Sequence, residues 1–110
     1  MKLLRETEAQ FQRAVIELAQ LFGWMAFHAR PARRADGSWV TAVAGDGVGY
    51  PDLTLAKPGG FLLAELKAEA GRLSKPQERW LEVLRLAGVE VHVWRPSHWT
   101  AIEERLRGGA

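Results

Sequence analysis

The chain has 110 residues, 47% of them hydrophobic and 25% charged, and its 15 lysines and arginines against 13 acids leave a net charge of only +2. These values describe one globular domain over residues 1–110, exclude a disordered or collagen-like chain, and provide no overall field to draw in a polyanion, although the pI is about 9.4. The absence of cysteine excludes disulfides, thiolate zinc sites and cysteine nucleophiles together, and histidines at 28, 92 and 98 are too scattered for a zinc set.

No uninterrupted apolar run approaches the roughly 18 residues of a membrane span. Met1 to Glu8 is charged rather than signal-like, so the expected location is the cytoplasm, of a prokaryotic cell or a phage-infected host. Thr7-x-x-Gln10 has the pattern of a capping box, and Phe11, Val15, Leu18 and Phe22 recur at helical spacing before Gly23. A first helix is predicted from about Glu8 to Phe22. Glu8 and Gln12 lie one turn apart on it and share a face. A glutamate in the first turn is also what the helix dipole favours without any functional role.

Trp24 to Arg30 reads as a strand, and from Pro31 to Gly49 only Trp39-Val40-Thr41-Ala42-Val43 sustains an apolar run. A loop this long inside a small domain is uncommon and usually functional. Arg30, Arg33 and Arg34 cluster at its start, and Trp39 offers a ring on which a base can stack. The plainer reading is a solvated basic loop with Trp39 folded onto the core. His28 has three readings: a phosphate contact, a proton carrier, or a strand histidine with its hydrogen bonds satisfied.

Tyr50 to Lys67 reads as a β-hairpin around Lys57-Pro58-Gly59-Gly60. Phe61 to Leu66 is apolar on both alternating faces except at Glu65, so this strand belongs in the interior, where an uncompensated carboxylate is costly. A turn centred on Pro58-Gly59 places Lys57 opposite Gly60 and, in the same register, Asp52 opposite Glu65. Facing side chains have Cβ atoms about 4.5–5.5 Å apart, close enough for two carboxylates to grip one divalent cation. Lys67 emerges on the Glu65 face about 6.6 Å further along. A three-residue loop with Gly60 in a bulge is the alternative, and it shifts the register at the turn.

After a polar connection from Ala68 to Leu73, Ser74 caps a second helix whose predicted buried stripe is Trp80, Val83, Leu84 and Ala87, with Gly88 as its stop. Glu69 in the connection is either solvated or part of an outer metal shell. Val89 to Trp94 alternates as a strand with Val89, Val91 and Val93 inward, and Ser97 is the expected cap of a final helix carrying Trp99, Ile102 and Leu106. The order α-β-β-β-α-β-α predicts an α/β domain with a small mixed sheet flanked by helices.

Pro51-Asp52, then Glu65-x-Lys67 thirteen residues after Asp52, Ser74-x-x-Gln77-x-x-Trp80 on the following helix, and Val93-Trp94-Arg95-Pro96 after the next strand resemble the VRR-NUC nucleases of the PD-(D/E)XK superfamily. The likeness runs from Glu8 to about Leu106. It implies a restriction-endonuclease-like fold and metal-dependent hydrolysis of DNA phosphodiesters. The branched or four-way junctions of replication, recombination or repair are the implied substrates. It further implies that Asp52, Glu65 and the Leu66 carbonyl hold Mg²⁺ or Mn²⁺, with no organic cofactor, and that Lys67 positions or deprotonates the attacking water.

Gln77 is explained fully as a capping-box residue, and by the resemblance as one that orients Lys67 or the water. On the first helix, relatives bring an acid toward the metal; Glu8 matches it by residue type and Gln12 by distance from Gly23. Arg30, Arg33, Arg34 and His28 are the expected DNA contacts. The resolvase-like relatives imply a homodimer, with Trp39 and Trp94 as candidate interface residues. The rival expectation is a DNA-structure-binding protein that keeps the nuclease fold without useful turnover.

Overall fold

The computed structural model describes residues 7–29, 32–40 and 43–108. The chain begins with helix α1 (Glu8–Leu21), whose capping box is complete: the Thr7 side chain accepts the Gln10 N–H, and the Gln10 side chain accepts the Thr7 N–H. Strand β1 (Met25–His28) follows, then a two-stranded ribbon of β2 (Ala32–Arg33) and β3 (Trp39–Val40), then the hairpin of β4 (Leu53–Lys57) and β5 (Gly60–Leu66). Helix α2 (Lys75–Leu86), β6 (Val91–Trp94), a 3-10 turn at Pro96–His98 and α3 (Trp99–Gly108) complete it.

The main sheet has the order β1-β4-β5-β6; the first two pairings are antiparallel and β5 runs parallel to β6. The parallel step requires a crossover, and α2 supplies it. Lys57 pairs with Gly60 and Leu53 with Ala64, which is the predicted register. Gly59 alone carries a positive φ in this turn, +84°, as the second central position of an unprimed type II turn demands after proline.

Period-two alternation divides the sheet between two cores. Leu53, Leu55, Leu62, Ala64 and Leu66 face α1 and α3, packing on Phe11, Val15, Ala19, Ile102 and Leu106. Leu63 and Val91 face the other way, onto Leu81 of α2, with Leu84, Val89 and Val93 around them. The result is the predicted mixed α/β architecture, with helices on both faces.

Several local expectations are corrected. The segment predicted as an open loop carries the β2–β3 ribbon, with Arg33 opposite Trp39. On α2 the buried residue is Leu81, whereas Val83 is 44% exposed and Ala87 is exposed, because α2 crosses only the β5–β6 half of the sheet. Ser97 does not cap the last helix; its N–H donates to Glu69, and the Arg95 N–H is taken by His98 Nδ1. Trp94 is buried at 5% exposure in the α1–α3 core, so it is not an interface residue.

Candidate active site

Asp52 sits one residue before β4, where the ladder with β5 has ended. Its carbonyl accepts the Ala29 N–H at 3.0 Å, which ties it to the end of β1. Its carboxylate Oδ1 accepts the Leu66 N–H at 3.2 Å, so the side chain rather than the main chain meets the end of β5. The other oxygen, Oδ2, accepts the Gln12 amide at 3.3 Å and lies 3.8 Å from His28 Nε2. That nitrogen is buried and has no hydrogen-bond partner among the described residues.

Glu65 lies on the α2 side of β5, in alternation with Leu63, and at 4% exposure it is the buried charged residue among those described. Its Oε2 accepts the Gln77 amide at 2.9 Å from the first turn of α2. Burial first, and the neighbouring charge of Asp52 second, push its carboxyl up from 4.5 to about 8; Lys67 pulls against this and Glu8 adds to it. Lys67 leaves β5 with its N–H on the Trp94 carbonyl and lines the same cleft.

Gln77 fills the predicted capping role, and its second contact is with Glu65 rather than with Lys67. Its Oε1 accepts the Ser74 N–H at 2.8 Å, completing the cap, while its Nε2 donates to Glu65. The choice between Glu8 and Gln12 likewise dissolves: both line the cleft, and the Gln12 amide donates to Glu8 at 3.4 Å as well as to Asp52. Glu69, by contrast, turns to the Ser97 N–H and is held below the usual carboxylate range by Ser97.

Two supports were not legible as such in the sequence. Arg95 Nη1 donates to the carbonyls of Ala68 (2.9 Å), Glu69 (3.3 Å) and Gly71 (2.6 Å), pinning the segment that follows Lys67. Gly49, at φ +89°, presses its backbone onto the start of α2; a Cβ there would lie 2.6 Å from the Pro76 carbonyl carbon and 2.8 Å from the Gln77 nitrogen. Only glycine tolerates both the φ and the approach.

The cleft has a volume of about 1180 Å³, and Phe27, Trp39, Val40, Val43, Val48 and Tyr50 line it as well. Trp39 is 63% exposed, so it is not folded onto the core; the Arg33 guanidinium lies 5.3 Å from its ring centroid. Arg34 is exposed in the ribbon, and Arg30 lies outside the described residues. A separate groove of about 650 Å³, on the other side of Val48, is lined by Lys75, Arg79, Trp80 and Val83.

The donor set suits a hard divalent cation. Adjacent carboxylates, one of them driven toward its neutral form by burial and by the other's charge, present an excess of negative oxygen that such an ion relieves. Among the described residues no three Asp, Glu, His or Cys side chains gather as a metal cluster, so the remaining ligands would be main-chain oxygen and water. Mg²⁺ is commonly held in that way.

Paired acids with a lysine two residues on, at the end of a central hairpin whose second strand feeds an α-helical crossover, narrow the class to nuclease-type α/β domains. The VRR-NUC domain model matches residues 6–97, and the chain belongs to that family. No curated protein and no solved structure matches the chain. Among the described residues, no helix is long and apolar enough to cross a membrane.

Proposed function

We propose that this VRR-NUC domain is a metal-dependent DNA endonuclease acting on branched DNA. The observation that carries the reading is Glu65, a buried carboxyl pushed to about 8 beside Asp52, in a cleft that also holds Lys67 and Gln77. Such a group is costly in a structural strand and useful in a site that handles cations and phosphate.

Asp52, Glu65 and the Leu66 carbonyl would hold Mg²⁺ or Mn²⁺, which when bound supplies charge neutralisation at the phosphate and a water of lowered pKa. Lys67 brings a cation to the scissile phosphate and a donor to the attacking water. Gln77 orients the Glu65 carboxylate, and Gln12 does the same for Asp52, so neither acid is free to rotate away. His28 Nε2, buried and turned toward Asp52, backs that carboxylate from inside the site.

A homodimer accompanies the four-way-junction form of this reading, since symmetric cutting of such a junction needs two sites related by a two-fold axis. Support comes from the sheet face that α2 leaves open: Met25, Ala56 and Phe61 lie in one row across three strands, with Met25 79% and Phe61 53% exposed. A monomer in sedimentation at tens of micromolar, with and without DNA, removes the dimer.

The deciding experiment incubates the purified protein with labelled linear, flap and four-way junction DNA in Mn²⁺ and in EDTA. Cleavage in Mn²⁺ alone is expected. Binding without cleavage in either condition leaves the non-catalytic DNA-binding protein as the reading.

A further inference from the structure

The residues lining the cleft fall into two chemical sets. One set is Glu8, Gln12, Asp52, Glu65, Lys67 and Gln77; the other is aromatic and aliphatic. Phe27 is 67% exposed, Trp39 63% and Tyr50 44%, and they come from three separate segments: β1, β3 and the run into Pro51. Large apolar side chains in such numbers at a concave surface mark a binding face rather than ordinary surface.

We propose that Phe27, Trp39 and Tyr50 form a stacking platform for unpaired bases, so that the strand entering the cleft is single-stranded beside the scissile phosphate. The inference rests on the nuclease reading and narrows its substrate to DNA with unpaired nucleotides at the cut.

The charge of the described lining favours an unpaired strand over continuous duplex in the cleft. Duplex is gripped chiefly through phosphates by lysine and arginine. Among the described residues lining this cleft, Lys67 is the one lysine or arginine, and it acts on Glu65. Among the described lining residues the aromatic and aliphatic set brings no lysine or arginine for a second backbone, and Arg33 beside it is engaged over the Trp39 ring, whereas every base has a face that an aromatic ring can cover.

The rings are also held in advance. Tyr50 meets Trp80 edge-on, with centroids 4.9 Å apart and planes at 85°, and the Trp80 indole donates to the Asp46 carbonyl at 2.7 Å. Trp39 is set by its pairing with Arg33 and by the guanidinium over its ring. Ordering costs on binding are correspondingly reduced. A second protein copy seated on these rings would close the cleft over Asp52 and Glu65, which disfavours it as the occupant.

The test measures affinity in Ca²⁺ and single-turnover cleavage in Mn²⁺ for a single-stranded oligodeoxynucleotide, a flap, a continuous duplex and an intact four-way junction. Phe27→Ala and Trp39→Ala are compared with Trp39→Phe; the exposure of both positions makes folding insensitive to these changes, and a thermal melt checks it. The parent should prefer the single strand and the flap. Each alanine should weaken binding to these two by about tenfold. Duplex affinity should change less than about twofold, and Trp39→Phe should restore most of the loss.

Equal losses on duplex and single strand, or no loss on either, overturn the platform. So does an alanine variant that becomes monomeric where the parent is dimeric, because these rings then form a subunit interface. If the parent cleaves nothing in Mn²⁺ but the selective losses appear, the platform stands and the nuclease reading fails. If all four substrates are cut and the variants match the parent, the reverse holds.

Discussion

Glu65→Gln should stabilise the metal-free protein at alkaline pH and remove most of its pH dependence. In the unfolded chain the carboxyl ionises near 4.5; in the folded chain it does so at about 8. Between those values the unfolded state has released a proton that the folded state still holds, so unfolding grows more favourable as pH rises. The penalty is absent below 4.5, accumulates through the window, and is complete above 8. Each pH unit between the two ionisation points is worth about 1.36 kcal/mol, so the plateau is about 5 kcal/mol, of which about 4 kcal/mol falls between pH 5 and 8.5. Water entering the site and local relaxation make this an upper bound.

The assay is urea unfolding in EDTA at half-unit steps from pH 5 to 8.5, for the parent and for Glu65→Gln. A difference of about 4 kcal/mol corresponds to a melting shift on the order of 15 °C in a domain of this size. Glutamine keeps an acceptor for the Gln77 amide, so the hydrogen bond at 2.9 Å need not be lost. The parent should lose stability steadily with pH while the variant stays nearly level. Adding Mn²⁺ at pH 8.5 should raise the parent more than the variant, since the ion favours the ionised acid. Parent and variant curves that stay parallel within about 0.5 kcal/mol would refute the claim that burial and Asp52 hold this carboxyl in its neutral form.

Lys67→Met should reduce single-turnover cleavage by at least about a hundredfold while changing DNA affinity less than about tenfold. Extra Mn²⁺ should partly rescue Glu65→Gln but not Lys67→Met, and equal rescue of both means that their roles are misassigned. Replacing Arg30, Arg33 and Arg34 together by alanine should flatten the dependence of log affinity on log salt by about 0.9 for each duplex phosphate that the protein no longer neutralises; an unchanged slope means the arginines are merely solvated. Arg105 grips Glu90 in a two-point contact at 2.7 and 2.8 Å and is the main cause holding that carboxyl down at about 2. Stability from this pair is present above 4.5 and lost as pH falls toward 2, and the Glu90 side chain is 34% exposed, so Glu90→Gln should cost about 1–2 kcal/mol at pH 7. An undiminished deficit at pH 2.5 would assign the loss to packing.

The hairpin was readable because two independent constraints met there. Pro58-Gly59 defines where the chain reverses, and period-two alternation then carries Lys57 opposite Gly60 as far as Leu53 opposite Ala64. What the pattern could not supply was the end of the ladder: Asp52 leaves the strand, and its carboxylate takes the Leu66 N–H instead. Helix α2 differs from its pattern at Val83 for a related reason. Apolar spacing reports a helix's own stripe, but α2 covers only half the sheet, so the buried position moves to Leu81 and Val83 faces the second groove. Arg95 stood out as part of Val93-Trp94-Arg95-Pro96, but its role did not, because its three acceptors are main-chain carbonyls 24 to 27 residues away and any residue type supplies a carbonyl. The ribbon escaped because two paired residues on each side are too short for any period to register.

Gln77 explains why a complete local reading of a residue can still leave its function open. A capping box asks the side chain for one acceptor, and a glutamate at this position would provide it. Glutamine brings a donor as well, and that donor is spent on Glu65, where a second carboxylate would have added repulsion to an acid already raised to about 8. The same logic holds on α1, where Gln12 gives its amide protons to Glu8 and Asp52. In both helices the amide meets a carboxylate of the hairpin, Glu65 or Asp52, where an acid would add repulsion, and the helical pattern alone carries no trace of that choice.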